Sequence, residues 1–197
     1  MKYMKGMLIA ACLTGSTLAT AQKQSGSLDS LTQTPPAAKE RAKLHFLVGS
    51  YTTETMIPPV PMAPKGATGK GTSVITWGLD SIFVLIDEES TNSLLGRYKG
   101  HGVLGFDPQA RQFELFMYNN FGDHPSYKGN FVGDTLVLQT HVPVPGHPFD
   151  QKLLWYRDGD EVKLKVMNDT GKGFTLAIEQ TATPVRRIFP PWFPVEY

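Results

Sequence analysis

Between Leu95 and His141 the chain alternates apolar and polar residues in short runs, each broken by turn formers. Tyr98 to Phe106 leads into Asp107-Pro108-Gln109-Ala110, and Gln112 to Tyr118 answers it. Asn119 to Asp123 turns again, and Tyr127 to Val132, Gly133-Asp134 and Thr135 to Val142 complete the run. A period of two interrupted by such turns predicts consecutive antiparallel strands. The pattern extends on both sides. Leu47 to Glu54, Thr72 to Leu79 and Ile82 to Glu88 read as strands, the last two joined by Asp80-Ser81. Gln151 to Arg157 is followed by the hairpin turn Asp158-Gly159-Asp160. Glu161 to Met167 sets Val162, Leu164 and Val166 against Lys163 and Lys165, and Phe174 to Gln180 returns with Phe174, Leu176 and Ile178 expected inward.

This count gives about ten strands, joined mostly by short turns. Such a chain makes a sandwich or a barrel. The meander order favours the barrel, because sequential hairpins close without crossovers and closure removes sheet edges. The expected fold is therefore all-β, an antiparallel up-and-down β-barrel with a short N-terminal helix. Thr34-Pro35-Pro36 is the helix-start signal, and Ala37 to Phe46 places Ala38, Ala42 and Phe46 near one face, with Lys39, Arg41 and Lys43 in water. Ile57 to Lys70, rich in proline and glycine, is expected to be a long loop and a candidate lid.

Composition adds to this picture at three points. Nineteen glycines and 15 prolines suit an all-β chain with many turns. A formal charge of +1 provides no electrostatic footprint for nucleic acid, so no nucleic-acid partner is expected. Beyond the N-terminus no run is long and apolar enough for a transmembrane helix. The N-terminus itself has Lys2 and Lys5, then the apolar run Met7 to Leu13, then Ala19-Thr20-Ala21, the order of a secretory signal peptide cleaved after Ala21. Export to the periplasm or beyond follows as an expectation. Cys12, the sole cysteine, lies within that signal, so the mature chain would have neither disulfides nor thiolate chemistry. Ile9-Ala10-Ala11-Cys12 also resembles a bacterial lipobox, which leaves a lipoprotein anchored through Cys12 as the alternative. The expected division is residues 1–21 signal, 22–34 flexible leader, 35–183 one barrel domain and 184–197 an aromatic, proline-rich tail.

Candidate chemistry comes from the inward-reading positions. Tyr51, Trp77, Phe83, Phe113, Leu115, Met117, Leu138, Trp155 and Phe174 suit either a packed core or an apolar ligand. Arg97, after Leu94-Leu95-Gly96, is a candidate to enter the barrel and bind a carboxylate headgroup. The run Asp87-Glu88-Glu89 reads as a solvated strand end; turned inward it would hold a raised pKa. His124, His141 and His147 with Asp123 are spaced too loosely for a zinc site, and no histidine follows His147 to offer the late strands an axial haem ligand, so no metal or cofactor is expected. Ser126 near His124 has no Gly-x-Ser-x-Gly elbow, so no catalytic residue is assigned.

Leu44-x-x-Leu47-Val48-Gly49-x-Tyr51 resembles the opening of the bacterial family known as domain of unknown function 1579, where Leu-x-x-Leu-x-Gly-x-Trp starts a calycin-like barrel. Gly102-x-x-Gly105-Phe106-Asp107 resembles that family's Gly-Tyr-Asp turn, and Tyr127-x-Gly129-x-Phe131 also fits, so the resemblance spans residues 43–183. Tyr51 stands where the family has tryptophan, and Phe106 where it has tyrosine. The resemblance implies a calycin-like, lipocalin-like barrel whose base is closed by the Gly-x-aromatic residue, and it implies no reaction. The leading functional expectation is non-catalytic binding of a small apolar or amphipathic ligand in a cavity lined by Tyr51, Trp77, Arg97, Met117, Tyr118 and Trp155. A second is an interaction protein with a filled barrel that uses residues 189–197 as a contact strip, with no partner specified; a third is an enzyme of unassigned reaction.

Overall fold

The computed structural model describes residues 35–185 apart from Met62. The signal, leader and tail expectations lie outside the described residues. Helix α1 (Pro35–Ala42) runs into a 3-10 turn (Lys43–Leu47), so the predicted helix is split. Ten strands follow: β1 (Gly49–Ile57), β2 (Ala67–Gly78), β3 (Phe83–Asn92), β4 (Gly96–Asp107), β5 (Gln112–Asn119), β6 (Ser126–Val132), β7 (Thr135–Val142), β8 (Phe149–Asp158), β9 (Glu161–Asp169) and β10 (Thr175–Pro184). Each is antiparallel to the next, and β1 pairs with β10 from Tyr51–Pro184 to Met56–Glu179, which closes the sheet. This is the expected up-and-down barrel. The long loop is shorter than predicted, because Ala67 to Lys70 extend β2.

The two ends of the barrel differ. At one end the strands are joined by tight turns, including Gly133-Asp134 and Gly159-Asp160. There the 3-10 turn inserts Leu44 and Leu47, both fully buried, among Val84, Leu104 and Phe113. Phe113 meets Phe106 and Phe131 edge-on at 5.1 and 5.3 Å, and Tyr51 donates its hydroxyl to the Leu47 carbonyl at 2.9 Å. The missing side chain at Gly49 makes this possible, since a Cβ there would stand 2.8 Å from the Tyr51 ring. At the opposite end, the mouth, lie the longer loops, including residues 120–125 and 143–148.

Strand register links the two ends. One inward row begins at Trp77, passes through Val84, Leu104 and Leu115 to Tyr127, and ends at Thr140, Gln151 and Asn168. Because a barrel is sheared, a row that starts in the apolar base finishes near the mouth, and its residues become polar on the way.

Two expected inward aromatics are outside. Val84 is fully buried, so Phe83 must face the other way, and its ring covers Gly105. In β10 the register shifts between Leu176 and Ile178. Ile178 stays opposite inward Val166, while Leu176 joins the row of Met167 and Phe174 packs under the Lys152 ammonium, 3.9 Å from the ring centroid. One extra residue thus reverses the facing of everything before it.

Candidate functional site

Alternation decides which predicted residues meet. Tyr51 and Trp155 are buried, and Trp77 and Met117 are half-buried against the core; all four belong to inward rows. Arg97 and Tyr118 do not join them. Tyr98 takes the inward place on β4, so Arg97 points out, 62% exposed, and bonds Glu89, which also pairs with Lys99 at 3.1 Å. Met117 takes the inward place on β5, so Tyr118 is 55% exposed. Adjacent strand residues cannot both face inward, which corrects the paired assignment of Met117 and Tyr118. Trp77 sits at the base with His45 edge-on at 5.1 Å, and its indole nitrogen is buried without a hydrogen-bond partner.

Above the aromatic base lies a polar belt. Inward on β3, after Val84 and Ile86, come Glu88, Ser90 and Asn92. Tyr98 comes from β4, Tyr127 from β6, Gln151 from β8, Asn168 from β9 and Gln180 from β10. The Gln180 amide donates to the Glu88 carboxylate across the width of β1 and β2. The reach is open because β2 presents Gly69 and Gly71 inward there, paired with Thr55 and Thr53 of β1. Tyr127 donates to Gln151 Oε1 at 2.5 Å, and Gln151 Nε2 donates to Asn168 at 2.9 Å. Tyr98 folds over Gly100, its hydroxyl within 2.5 Å of where a Cβ would be, and Phe121 from the mouth loop leans on its ring at 6.0 Å.

The electrostatics follow from enclosure. Burial pushes the Glu88 carboxyl above its ordinary range, and the bond from Gln180 opposes that shift only in part. From β4 Tyr98 faces it, from β2 Ser73 and from β10 Gln180; none of these is cationic. Among the described residues no lysine, arginine or histidine pairs with Glu88. Burial, then the charges of Glu88, Tyr127 and Asp123, raises the Tyr98 phenol well above its usual value. Tyr127 is pushed up to about 12 by burial and then by Asp123. Both phenols are therefore neutral hydrogen-bonding groups near pH 7. Thr53 and Thr55, inward on β1, each have a buried hydroxyl oxygen with no hydrogen-bond partner.

Enclosure and accessibility diverge here. Glu88, Tyr98, Gln151, Asn168 and Gln180 are surrounded by the barrel wall, yet each retains intermediate exposure, while Leu104, Phe113, Leu115 and Leu136 in the lower half have none. Tyr98, Gln151 and Asn168 lie near the mouth ends of their strands, whereas Ser90 and Tyr127, also of the belt, are buried. Two grooves lie on the outer surface. One of about 770 Å³ crosses β10, β1, β2 and β3, with Glu54, Lys70, Thr91 and Glu179 among its lining. The other, about 410 Å³, lies between α1 and the base, against Phe106 and Phe131. The first is walled mostly by outward side chains such as the solvated Lys70–Glu54 pair, 3.0 Å apart, so the belt has the stronger chemistry.

His101–Asp87 and His141–Asp150 are cross-strand pairs on the outer face, at 2.8 and 2.7 Å. Among the described residues no group of three His, Cys, Asp or Glu is placed to hold a metal ion, and no helix is long and apolar enough to cross a membrane. No protein-family model matches the chain, and a search of the curated proteins finds no match. The residue-level resemblance therefore carries no family assignment. What stands is a closed ten-strand antiparallel barrel with a short N-terminal helix, consistent with a calycin-like fold.

Proposed function

We propose that this protein binds a small amphipathic molecule in the mouth half of its barrel, without chemical conversion. The observation that carries the reading is the accessible polar belt around Glu88, enclosed on all sides by strands and set above a filled aromatic base. The base fixes the wall, the glycines at 69, 71 and 100 let Asn92, Ser90 and Tyr98 pack closely over them, and the amides and phenols of the belt orient a polar head. Rim residues Ile57, Val142, Phe149 and Ile178 provide an apolar collar. Of the sequence candidates, Tyr51 and Trp155 belong to the buried core, and Trp77 and Met117 pack against it; in this proposal Met117 and Trp155 form the floor beneath the ligand. The motif resemblance to the calycin-like family of unknown function, and export after cleavage at Ala21 or anchoring at Cys12, belong to the same proposal: a barrel acting outside the cytoplasm as a carrier or sensor.

Native mass spectrometry of the mature protein purified from its own host tests this. A stoichiometric adduct that extracts as a lipophile is the expected result. A clean apo mass, together with no displacement of an apolar fluorescent probe by host lipid extract, would overturn it and move attention to the outer surface.

A further inference from the structure

We infer that the molecule bound in the barrel presents an amine to Glu88, so that the ligand class is a primary amine with an apolar body. The inference rests on the binding reading above and adds the identity of the head group. It starts from the geometry of β3. Alternation sends Asp87 and Glu89 outward, where His101 meets the first and Arg97 and Lys99 meet the second. Glu88, between them, is turned away from every one of those cations and, among the described residues, receives only the neutral amide of Gln180. A carboxylate enclosed without a cation is costly, and most of that cost is incurred on folding. A ligand that brings the missing cation recovers it.

An ammonium that meets ionised Glu88 forms the pair with no proton exchanged; where Glu88 carries a proton, the incoming ammonium displaces it to water and the pair formed is the same. A fatty-acid head has no such match. Its carboxylate would face an ionised Glu88 with no lysine, arginine or histidine among the described residues pairing across the belt, and one of the two would have to take up a proton from water. The remaining partners also suit an amine. An ammonium has three donors. Glu88 accepts one, and the side-chain oxygens of the belt amides, such as Asn168, are of the same acceptor class. The Ile57, Val142, Phe149 and Ile178 collar then takes the apolar body toward the mouth.

Isothermal titration of the full chain at pH 7 with octylamine, octanoate and 1-octanol separates the possibilities. Octylamine should bind at least about tenfold more tightly than octanoate, and Glu88→Gln should reduce that preference to within about twofold. Octanoate binding as tightly as octylamine would overturn the amine assignment and leave the barrel-binding reading intact. A preference for octylamine that survives in Glu88→Gln would also overturn it, because the cation would then be read elsewhere. If none of the three binds, the binding reading fails and the head-group assignment fails with it. The comparison of ligands on the wild-type chain decides the matter even if the variant folds poorly.

Discussion

At the scale of the residue, Glu88 is the informative side chain, and its effect on stability has a definite sign. Burial raises its pKa in the folded state above the ordinary 4.5. The folded protein therefore holds the proton more tightly than the unfolded chain does. The penalty for an ionised, enclosed carboxylate is present in full above the folded pKa, diminishes as pH falls through it, and is gone below the unfolded value. Glu88→Gln keeps an acceptor for the Gln180 amide and removes the charge. Its Tm should exceed wild type at pH 7, and the two should converge below pH 4.5 in thermal melts recorded across that range. A variant less stable than wild type at pH 7 would mean that Glu88 is stabilised by a group not facing it in this structure. The sequence contained the clue. Val84 and Ile86 set the inward phase of β3, and two more steps reach Glu88. Read as a block, Asp87-Glu88-Glu89 looks like a solvated end; read at period two, its middle member is inside. The same rule, applied to Tyr98 and Met117, would have turned Arg97 and Tyr118 outward.

At the scale of the element, all ten strands were legible, because alternation and turn chemistry are local signals. Less legible were features set by the partner strand. The shift in β10 that turns Phe174 and Leu176 outward depends on register against β9, and nothing in the run from Phe174 to Gln180 announces it. Glycines in strands belong to the same class. Gly129 on β6 lies so close to β7 that a Cβ would fall 2.0 Å from the Val137 carbonyl oxygen. That oxygen is backbone, so a side chain here can be accommodated only by separating the strands. β6 is also the most weakly tied strand on its other side, where its ladder with β5 runs only from Phe113–Gly129 to Phe116–Ser126. Gly129→Ala should cost about 2–4 kcal/mol in urea unfolding, with faster amide exchange in Tyr127 to Val132 than elsewhere in the sheet. A loss under about 0.5 kcal/mol, the range of ordinary surface substitutions, would show that β6 can move away from β7 without penalty.

At the scale of the molecule, the shear of the barrel separates stability from recognition. Rows begin in the base as Trp77, Phe106 or Phe131 and reach the mouth as Asn168, Ile178 or Asn92, so each strand contributes to both halves, but with different side chains. The base is closed by the 3-10 turn, with Leu44 and Leu47 fully buried and Tyr51 tied back to Leu47. Leu47→Ala leaves a cavity in that plug and should cost about 2–5 kcal/mol. Leu47 carries no hydrogen bond of the belt, so the variant, at a temperature where it is folded, should bind octylamine within about twofold of wild type. Tyr127→Phe is the complementary case. It removes the hydroxyl that holds Gln151 and, through Gln151, Asn168, so the belt loses its orientation at a cost of about 1 kcal/mol. Its octylamine affinity should fall about three- to tenfold, an effect of the size expected when one positioned hydrogen bond is lost. Measuring both properties on both variants tests whether the halves are independent. If Leu47→Ala weakens binding as strongly as Tyr127→Phe, the barrel transmits strain from base to mouth, and the belt owes its geometry to the plug rather than to its own hydrogen bonds.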